Sequence, residues 1–231
     1  MTDFKTALIV GAGDGLSAAL ARLFTDNGLQ VALAARNIDK LQSLKDKLGA
    51  HTFQCDASQV DSVLQLFNAV DASLGARDVV VYNPSYRTRG PIAELDPAAV
   101  QQALMVTAYG GFLVGQQATK RMEATGKGAI LFTGASASVK GYPHSAPFAM
   151  GKFALRGLVQ SMARELAPKN IHVAHFIIDG AILPPGQQQP TDSPDRFLEP
   201  NEIATSYWHV LQQHRSTWTW EMELRPWVER F

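Results

Sequence analysis

The sequence predicts an α/β fold, with a doubly wound parallel sheet of about seven strands and helices on both faces. Short apolar runs alternate with longer amphipathic segments along most of the chain, and this alternation favours a parallel sheet. Two of the runs, Ala7–Val10 and Val79–Val81, are continuously apolar, as strands buried on both faces are. A length of 231 residues is enough for one well-buried core.

Each element follows from its residue pattern, taken in chain order. The predicted strands are Thr6–Val10, Gln30–Ala34, Thr52–Gln54, Asp78–Tyr82, Ala129–Thr133, His172–Ile178 and Thr217–Leu224. The predicted helices are Leu16–Asn27, Asp39–Leu48, Val60–Leu74, Ala98–Met122, Phe148–Leu166 and Glu202–His214. In the last strand large apolar and polar side chains alternate, so we expect one of its faces to be more exposed.

Composition narrows the function classes. The 21 basic and 21 acidic residues cancel, and no basic stripe favours nucleic acid or an anionic membrane surface. A single cysteine, Cys55, excludes an internal disulfide framework and suits a reducing compartment. No apolar run approaches the roughly 20 residues needed to span a bilayer, and the start lacks a signal-peptide pattern. We expect a soluble cytoplasmic protein without a metal site.

A glycine-rich turn follows the first strand. Gly11, Gly13 and Gly15, with Asp14 and Leu16 between and after them, let the backbone turn tightly and approach a diphosphate closely. The amides at the start of the next helix then face the anion. The spacing fits G-x-x-x-G-x-G with Ser17 at the third glycine, where we expect a modest packing loss. Such a strand, turn and helix predict a Rossmann-type dinucleotide site.

The end of the second strand selects the cofactor. An acidic residue there would bind the ribose hydroxyls of NAD, but this chain has Ala34-Ala35-Arg36. Arg36 can pair with a 2′-phosphate through its planar fork. A solvated surface arginine is the alternative, and we favour NADP(H) over NAD(H).

We interpret residues 1–231 as a single dinucleotide-binding domain in which one segment breaks the pattern. Leu183–Pro200 contains five prolines and the run Gln187–Gln189, so it cannot form a regular helix or a central strand. It is either a surface loop or, because it follows the sixth strand, a flap over the ligand cleft.

Further along, the sequence resembles the short-chain dehydrogenase/reductase superfamily. The glycine spacing, Cys55-Asp56-Ala57-Ser58, Asn83 after the fourth strand and Glu202-Ile-Ala204 opening the last helix carry the resemblance. It implies that Asp56 and Ala57 hold the adenine and that Asn83 lies beside the cofactor. It also implies cofactor contacts for Gly180 and Ile182 after the sixth strand. For Asp56, a helix-cap role is the alternative.

The catalytic positions that the resemblance implies are largely altered. Lys152 is retained, but the tyrosine position four residues before it holds Phe148, and the serine position thirteen residues before that holds Ala135. Thr107 stands at the asparagine position. Carbonyl reduction needs a hydrogen-bond donor to the developing oxyanion and a source of a proton. Because the residues expected to supply them are replaced, we expect ordinary ketone reduction to be very slow. Several nearby residues could replace the missing donors: Tyr142, His144, Ser136, Ser138 and Tyr86. Alternatively, they only line the pocket or bond nearby backbone.

Three functions remain open. The first is an NADP(H)-dependent oxidoreductase with a relocated or weakened proton donor, acting on a small, fairly apolar carbonyl or alcohol. The second is a noncatalytic NADP(H)-binding sensor or assembly protein, and the third is a Rossmann-like domain without a dinucleotide. We also predict a homodimer or homotetramer, because Ala98–Met122 and Phe148–Leu166 match the helices that pair in the resembled family. Small residues on those helices, such as Gly111, Gly115 and Gly151, would let partner backbones approach.

Overall fold

The computed structural model describes residues 4–229 and contains one parallel sheet. Its strands are β1 (Thr6–Val10), β2 (Gln30–Ala35), β3 (His51–Gln54), β4 (Val79–Tyr82), β5 (Gly128–Thr133), β6 (Ile171–Ile178) and β7 (Glu221–Leu224). Their order is β3-β2-β1-β4-β5-β6-β7, with every neighbouring pair parallel. The predicted seven-stranded Rossmann-type fold is therefore confirmed. Residues 1–3 and 230–231 of the predicted domain lie outside the described part.

Helices cover both faces of this sheet. They are α1 (Leu16–Asp26), α2 (Gln42–Leu48), α3 (Val60–Leu74), α4 (Pro97–Leu104), α5 (Gly110–Thr125), α6 (Ala146–Leu166) and α7 (Pro200–Leu211). Helices α1 and α7 pack together over one apolar layer, while α3, α5 and α6 cover the other. Side chains of β1 alternate between the layers, with Ile9 in the first and Leu8 in the second. This arrangement explains why the strand reads as a continuous apolar run.

The fourth predicted helix is interrupted. Between α4 and α5 the backbone forms a π-helical turn, Met105–Tyr109, so the prediction of a continuous regular helix over Ala98–Met122 was wrong. The hydroxyl of the buried Tyr82 donates to the carbonyl oxygen of Val106 in this turn. A wide turn exposes carbonyls that a regular helix would use internally, and here one of them is satisfied from β4. The interruption places Thr107 inside the site described below.

Two other boundaries differ from expectation. The last strand begins at Glu221 rather than Thr217, because Arg215–Thr217 forms a 3-10 turn whose start is capped by the side chain of His214. The helix predicted from Phe148 begins instead at Ala146.

By length and composition alone, the run Pro97–Thr125 could also cross a membrane, contrary to the expectation of no such stretch. In this fold, α5 packs against α3, α6 and the sheet, as a core helix does.

The small residues invoked for assembly serve packing within the chain. A Cβ on Gly111 would meet Leu155, one on Gly115 would meet Met162, and one on Gly151 would meet Thr107. These glycines therefore let α5, α6 and the π turn approach one another. Their use inside the chain means that these three glycines do not support an intermolecular face, and assembly itself stays a prediction.

Candidate active site

The glycine turn lies at the carboxyl end of β1, where the strand order reverses between β2 and β4. Crevices at such switch points are the usual ligand sites of open α/β sheets. Gly11 has φ +80°, and a Cβ there would lie 2.6 Å from the backbone nitrogen of Pro84. Gly13 and Gly15 have no atom within 4 Å of an added Cβ. Gly11 is thus required by the fold, whereas the other two keep a space open.

Ser17 has a bonding role that goes beyond the modest packing loss predicted for a serine at the third glycine position. Its buried hydroxyl donates to the carbonyl oxygen of Gly11 (3.1 Å) and accepts from the side-chain amide of Asn83 (2.8 Å). The backbone N–H of Asn83 in turn donates to the carbonyl oxygen of Val10 (3.0 Å). These bonds tie the glycine turn to the end of β4. The sequence did not reveal this role, because only the three-dimensional pairing of β1 with β4 brings Ser17 and Asn83 together.

Two adjoining cavities follow the carboxyl ends of the strands. The larger one, of about 590 Å³, reaches from the glycine turn to the end of β2 and is lined by Val10, Gly11, Ala12, Ala35, Arg36, Asn37, Lys40, Cys55, Asp56, Ala57, Asn83, Pro84, Ser85 and Val106. The smaller one, of about 340 Å³, is lined by Gly11, Gly13, Gly15, Leu16, Ser17, Asn83 and Ile182–Pro185. Gly11 and Asn83 line both cavities, so the two adjoin, and we call them together the cofactor cleft.

Most of the predicted cofactor residues meet in this cleft. Asp14 is exposed at the turn, and neither described lining includes it or Gly180. Gly180 instead has φ +158° and lies against Pro226. Asp56 lines the cleft and accepts from the backbone N–H (2.9 Å) and the hydroxyl (2.7 Å) of Ser58. It does not cap α3, whose first residue follows Gln59 and has no side-chain cap. The sequence interpretation missed Lys40, which shares the wall with Arg36.

The segment that follows β6 lies along the other side of the cleft. Ile182 forms a parallel bridge with Leu198, and the N–H of Leu183 donates to the carbonyl oxygen of Leu198 (2.9 Å). The ends of the predicted flap are therefore joined. Because Leu183–Pro185 also line the smaller cavity, the segment meets the cofactor cleft at its first residues.

The altered catalytic positions are brought together as the spacing predicted. Ala135 and Phe148 belong to one small buried apolar cluster. The Nζ of Lys152 lies 5.9 Å from the centroid of the Phe148 ring and donates to the carbonyl oxygen of Thr133 (2.7 Å). The buried Thr107 accepts from the backbone N–H of Tyr86 (3.4 Å). The catalytic positions therefore lie together in space. Two positions where the resemblance implies a hydroxyl hold the apolar Ala135 and Phe148 instead.

Lys152 is 2% exposed, and its environment favours the neutral amine. Burial, and then the positive charge of Arg87, lower its pKa to about 7. Desolvation and a neighbouring like charge both disfavour an ammonium. A lysine with this pKa can exchange a proton near neutral pH.

The serines flanking Ala135 bond inside the protein. Burial acts to raise the pKa of the Asp179 carboxyl. Hydrogen bonds from Lys140 and Ser136 outweigh this effect and hold that pKa low. The fully buried Ser138 accepts from the N–H of Ala135 (3.1 Å) and lies 3.4 Å from Nε2 of His175. Neither serine is free to replace the lost donor.

Behind the site runs a buried polar chain. Nδ1 of His175 lies 3.0 Å from Glu221 on β7, and Glu221 accepts two bonds from Arg156 (2.6 and 2.7 Å). Burial is the largest effect on His175 and lowers its pKa to about 4. This chain, which the sequence did not reveal, connects β6, β7 and α6, and Ser138 joins it to the turn that follows β5.

The other candidate donors lie on an exposed loop. Tyr142 is 49% exposed and does not line either described cavity. His144 is exposed with φ +60°, and its carbonyl oxygen accepts from the N–H of Gly90 (3.1 Å). That bond joins this loop to the segment after β4. Because Tyr142 lines neither described cavity, its roles as a donor and as a wall residue both stay predictions.

Arg87 was not predicted to belong to the site, yet its Cζ lies 4.2 Å from the centroid of Phe148. Burial, and then Arg89, lower its pKa. Only its neighbour Tyr86 was among the residues predicted to stand in as donors. The signal available in the sequence was the pair Arg87 and Arg89 within the segment that follows β4.

Comparison with known proteins decides the family. A sequence profile described as short chain dehydrogenase matches residues 5–191. The chain belongs to the short-chain dehydrogenase/reductase family. It is 32% identical over 174 residues, 73% of the chain, to (21S)-21-acetoxyl-apo-melianone synthase SDR of Melia azedarach, and the match spans only 64% of that relative.

Solved structures of this family agree with the fold. A short-chain dehydrogenase from Rhodopseudomonas palustris superposes with a TM-score of 0.84 at 37% identity, covering 96% of this chain and 99% of that one. An alcohol dehydrogenase from the archaeon Thermococcus sibiricus, complexed with 5-hydroxy-NADP, gives a TM-score of 0.85 at 26% identity, covering 98% of each chain.

Proposed function

We propose that this family member is an NADP(H)-dependent oxidoreductase that interconverts a small carbonyl and its alcohol with a weakened, relocated proton donor. The observation that carries the proposal is the cofactor cleft, which is open at Gly13 and Gly15 and has Arg36 and Lys40 at its far wall. The helix that follows the glycine turn has no side-chain cap at its start, so its backbone N–H groups remain available to a diphosphate.

The proposal favours NADP(H) over NAD(H). Two cationic side chains, Arg36 and Lys40, line it where the second strand ends, and they would bind a 2′-phosphate by charge-assisted hydrogen bonds. The Thermococcus sibiricus relative, complexed with 5-hydroxy-NADP, agrees with this preference. The bound cofactor would supply or accept a hydride at the substrate carbon.

Lys152 is our candidate for the relocated proton donor. It lies beside the Phe148 ring, and its pKa of about 7 matches a general acid working near neutral pH. Its ammonium would stabilise the negative charge that develops on a carbonyl oxygen and then supply the proton. Lacking the serine and tyrosine hydroxyls, the site would remain slower than one with the full set.

A noncatalytic NADP(H)-binding sensor or assembly protein is the second candidate. Ala135 and Phe148 pack into an apolar cluster, and the serines next to Ala135 are already bonded. Nothing in those contacts requires turnover, while Arg36 and the glycine turn would serve binding alone.

One experiment separates the two candidates. NADPH binding is measured by fluorescence, and carbonyls are then screened with wild type, with Lys152→Met, with Tyr142→Phe and with Ala135→Ser/Phe148→Tyr. Wild-type turnover that is lost in Lys152→Met supports the relocated donor, and loss in Tyr142→Phe instead would place the donor at Tyr142. NADPH binding with turnover only in the double variant would establish the noncatalytic function.

Assembly as a homodimer or homotetramer, in the cytoplasm, completes the proposal. Exposed apolar side chains occur on the two long helices and the π turn: Tyr109 and Phe112 stack at 6.0 Å, and Met150 and Phe153 lie on α6. Exposed apolar surface of this kind favours association. A monomeric mass by light scattering at micromolar concentration would overturn this part.

A further inference from the structure

We propose that Arg87 makes the substrate site a receptor for a carboxylate, so that the carbonyl substrates of this chain are oxo acids. The inference rests on the proposed oxidoreductase function and names its substrate class. The juxtaposition that motivates it is the Arg87 guanidinium stacked 4.2 Å from the centroid of Phe148. That ring stands at the position where the family has a tyrosine.

The backbone holds Arg87 in place from both sides. Before it, the N–H of Tyr86 donates to the hydroxyl of Thr107 (3.4 Å), and after it, the N–H of Gly90 donates to the carbonyl oxygen of His144 (3.1 Å). Arg87 therefore extends from a segment tied to both the π turn and the loop beyond β5. A guanidinium on a fixed backbone loses less freedom when it binds a ligand.

Two cations share the Phe148 ring. The Nζ of Lys152 is 5.9 Å from the centroid, and the two charges are close enough for Arg87 to contribute to the lowered pKa of Lys152. Among residues 4–229, the ion pairs found include no carboxylate partner for Arg87, Arg89 or Lys152. The site thus has a local excess of positive charge, which attracts anions.

The chemistry of Arg87 selects a carboxylate. A planar guanidinium forms two parallel hydrogen bonds with a carboxylate, and its face can remain stacked on an aromatic ring meanwhile. Lys152, on the same ring, would then face the neighbouring carbonyl oxygen of an oxo acid. The apolar Phe148 and Ala135 suit the hydrocarbon part of such a substrate.

The test uses a matched pair of probes, phenylglyoxylate and its neutral methyl ester. Their binding to wild type is measured by calorimetry, with and without saturating NADPH, so that the result does not depend on turnover or on cofactor binding. Because hydrogen bonds to charged groups contribute more than neutral ones, we expect wild type to bind the acid about tenfold more tightly than the ester. We also expect added salt to weaken binding of the acid alone.

Three variants assign the preference to Arg87. Arg87→Met should remove the preference for the acid, while Arg87→Lys should retain part of it as a point charge. Arg22→Met, at an exposed arginine on α1, is the matched control and should behave as wild type. Arg87 lines neither cavity of the cofactor cleft, so NADPH affinity should be unchanged in Arg87→Met. A methionine can keep a contact with the Phe148 ring, so the melting temperature should change little.

The outcomes distinguish this inference from the proposed function. Equal affinities of wild type for the acid and the ester, or an undiminished preference in Arg87→Met, would overturn the inference. Reduced NADPH affinity in Arg87→Met would show that Arg87 serves the cofactor and would overturn it as well. If the acid preference depends on Arg87 but no carbonyl is turned over, the oxidoreductase function fails while the carboxylate receptor stands.

Discussion

Replacing Gly13 with alanine should weaken cofactor binding without harming the fold. An added Cβ at Gly13 meets no protein atom within 4 Å, and the backbone there lies outside the left-handed region. The methyl group would instead enter the space that a diphosphate needs against the glycine turn. Forcing a methyl group into a close-packed contact costs typically about 1–3 kcal/mol, which corresponds to roughly 5-fold to 150-fold in Kd.

Gly11→Ala is the contrasting variant. Gly11 has φ +80°, and its Cβ would lie 2.6 Å from the Pro84 backbone nitrogen, so the penalty falls on the folded protein itself. A side chain forced into this backbone region costs of order 1–3 kcal/mol, and the clash with Pro84 adds to that. For a chain of this size each kcal/mol lowers the melting temperature by roughly 2–4 °C.

The assay combines a thermal melt with an NADPH fluorescence titration for wild type and both variants. We expect Gly13→Ala to melt as wild type does and to bind NADPH weakly, and Gly11→Ala to melt several degrees lower. A Gly13→Ala protein with wild-type melting and undiminished NADPH affinity would refute the reasoning, because the diphosphate would then not occupy the open space above the turn.

Three further predictions concern charges. Arg36→Ala, alone or with Lys40→Ala, should weaken NADPH binding by about tenfold or more and leave NADH binding unchanged. Competitive fluorescence titration measures both affinities. Equal losses for the two cofactors would contradict the assignment of Arg36 and Lys40 to the 2′-phosphate. The pKa of His175 is lowered to about 4 from 6.5, so the neutral ring stabilises the fold fully above pH 6.5 and this stability is lost as pH falls towards 4, by up to about 3 kcal/mol. Urea unfolding should show that loss in wild type and a shallower one in His175→Asn. Finally, carbonyl reduction should slow as pH rises through about 7 because Lys152 loses its proton, and a profile flat from pH 6 to 9 would exclude it as the acid.

The parallel strands were the most predictable part of the molecule. β1 has the predicted bounds because both of its faces are buried, and burial on both faces leaves a continuous apolar run in the sequence. The last strand was predicted too long, since the alternation of Trp218 and Trp220 with polar residues continues through a turn that precedes β7. There His172 stacks on Trp218 (4.5 Å between centroids), which is a tertiary contact that sequence periodicity does not encode.

The site was predictable where chain spacing determines it and not where separate segments meet. The spacing of thirteen positions from Ala135 to Phe148 placed both in one cluster, and the glycine spacing placed the turn at the cofactor cleft. The π turn depends on Tyr82, which lies 24 residues from its partner Val106. Arg87 and Phe148 lie on segments that are far apart in the chain and are brought together in the fold, where a backbone bond joins Gly90 to His144. Contacts of this kind have no local sequence signature.

Calorimetric titration of the wild-type chain with NADPH, and separately with NADH, is the most direct test of the central claim. We predict saturable binding of one NADPH per chain, with NADH binding more weakly because the positive charges of Arg36 and Lys40 would have no 2′-phosphate to pair with. An absence of binding heat with both dinucleotides, confirmed by unchanged melting temperatures at saturating concentrations, would contradict it.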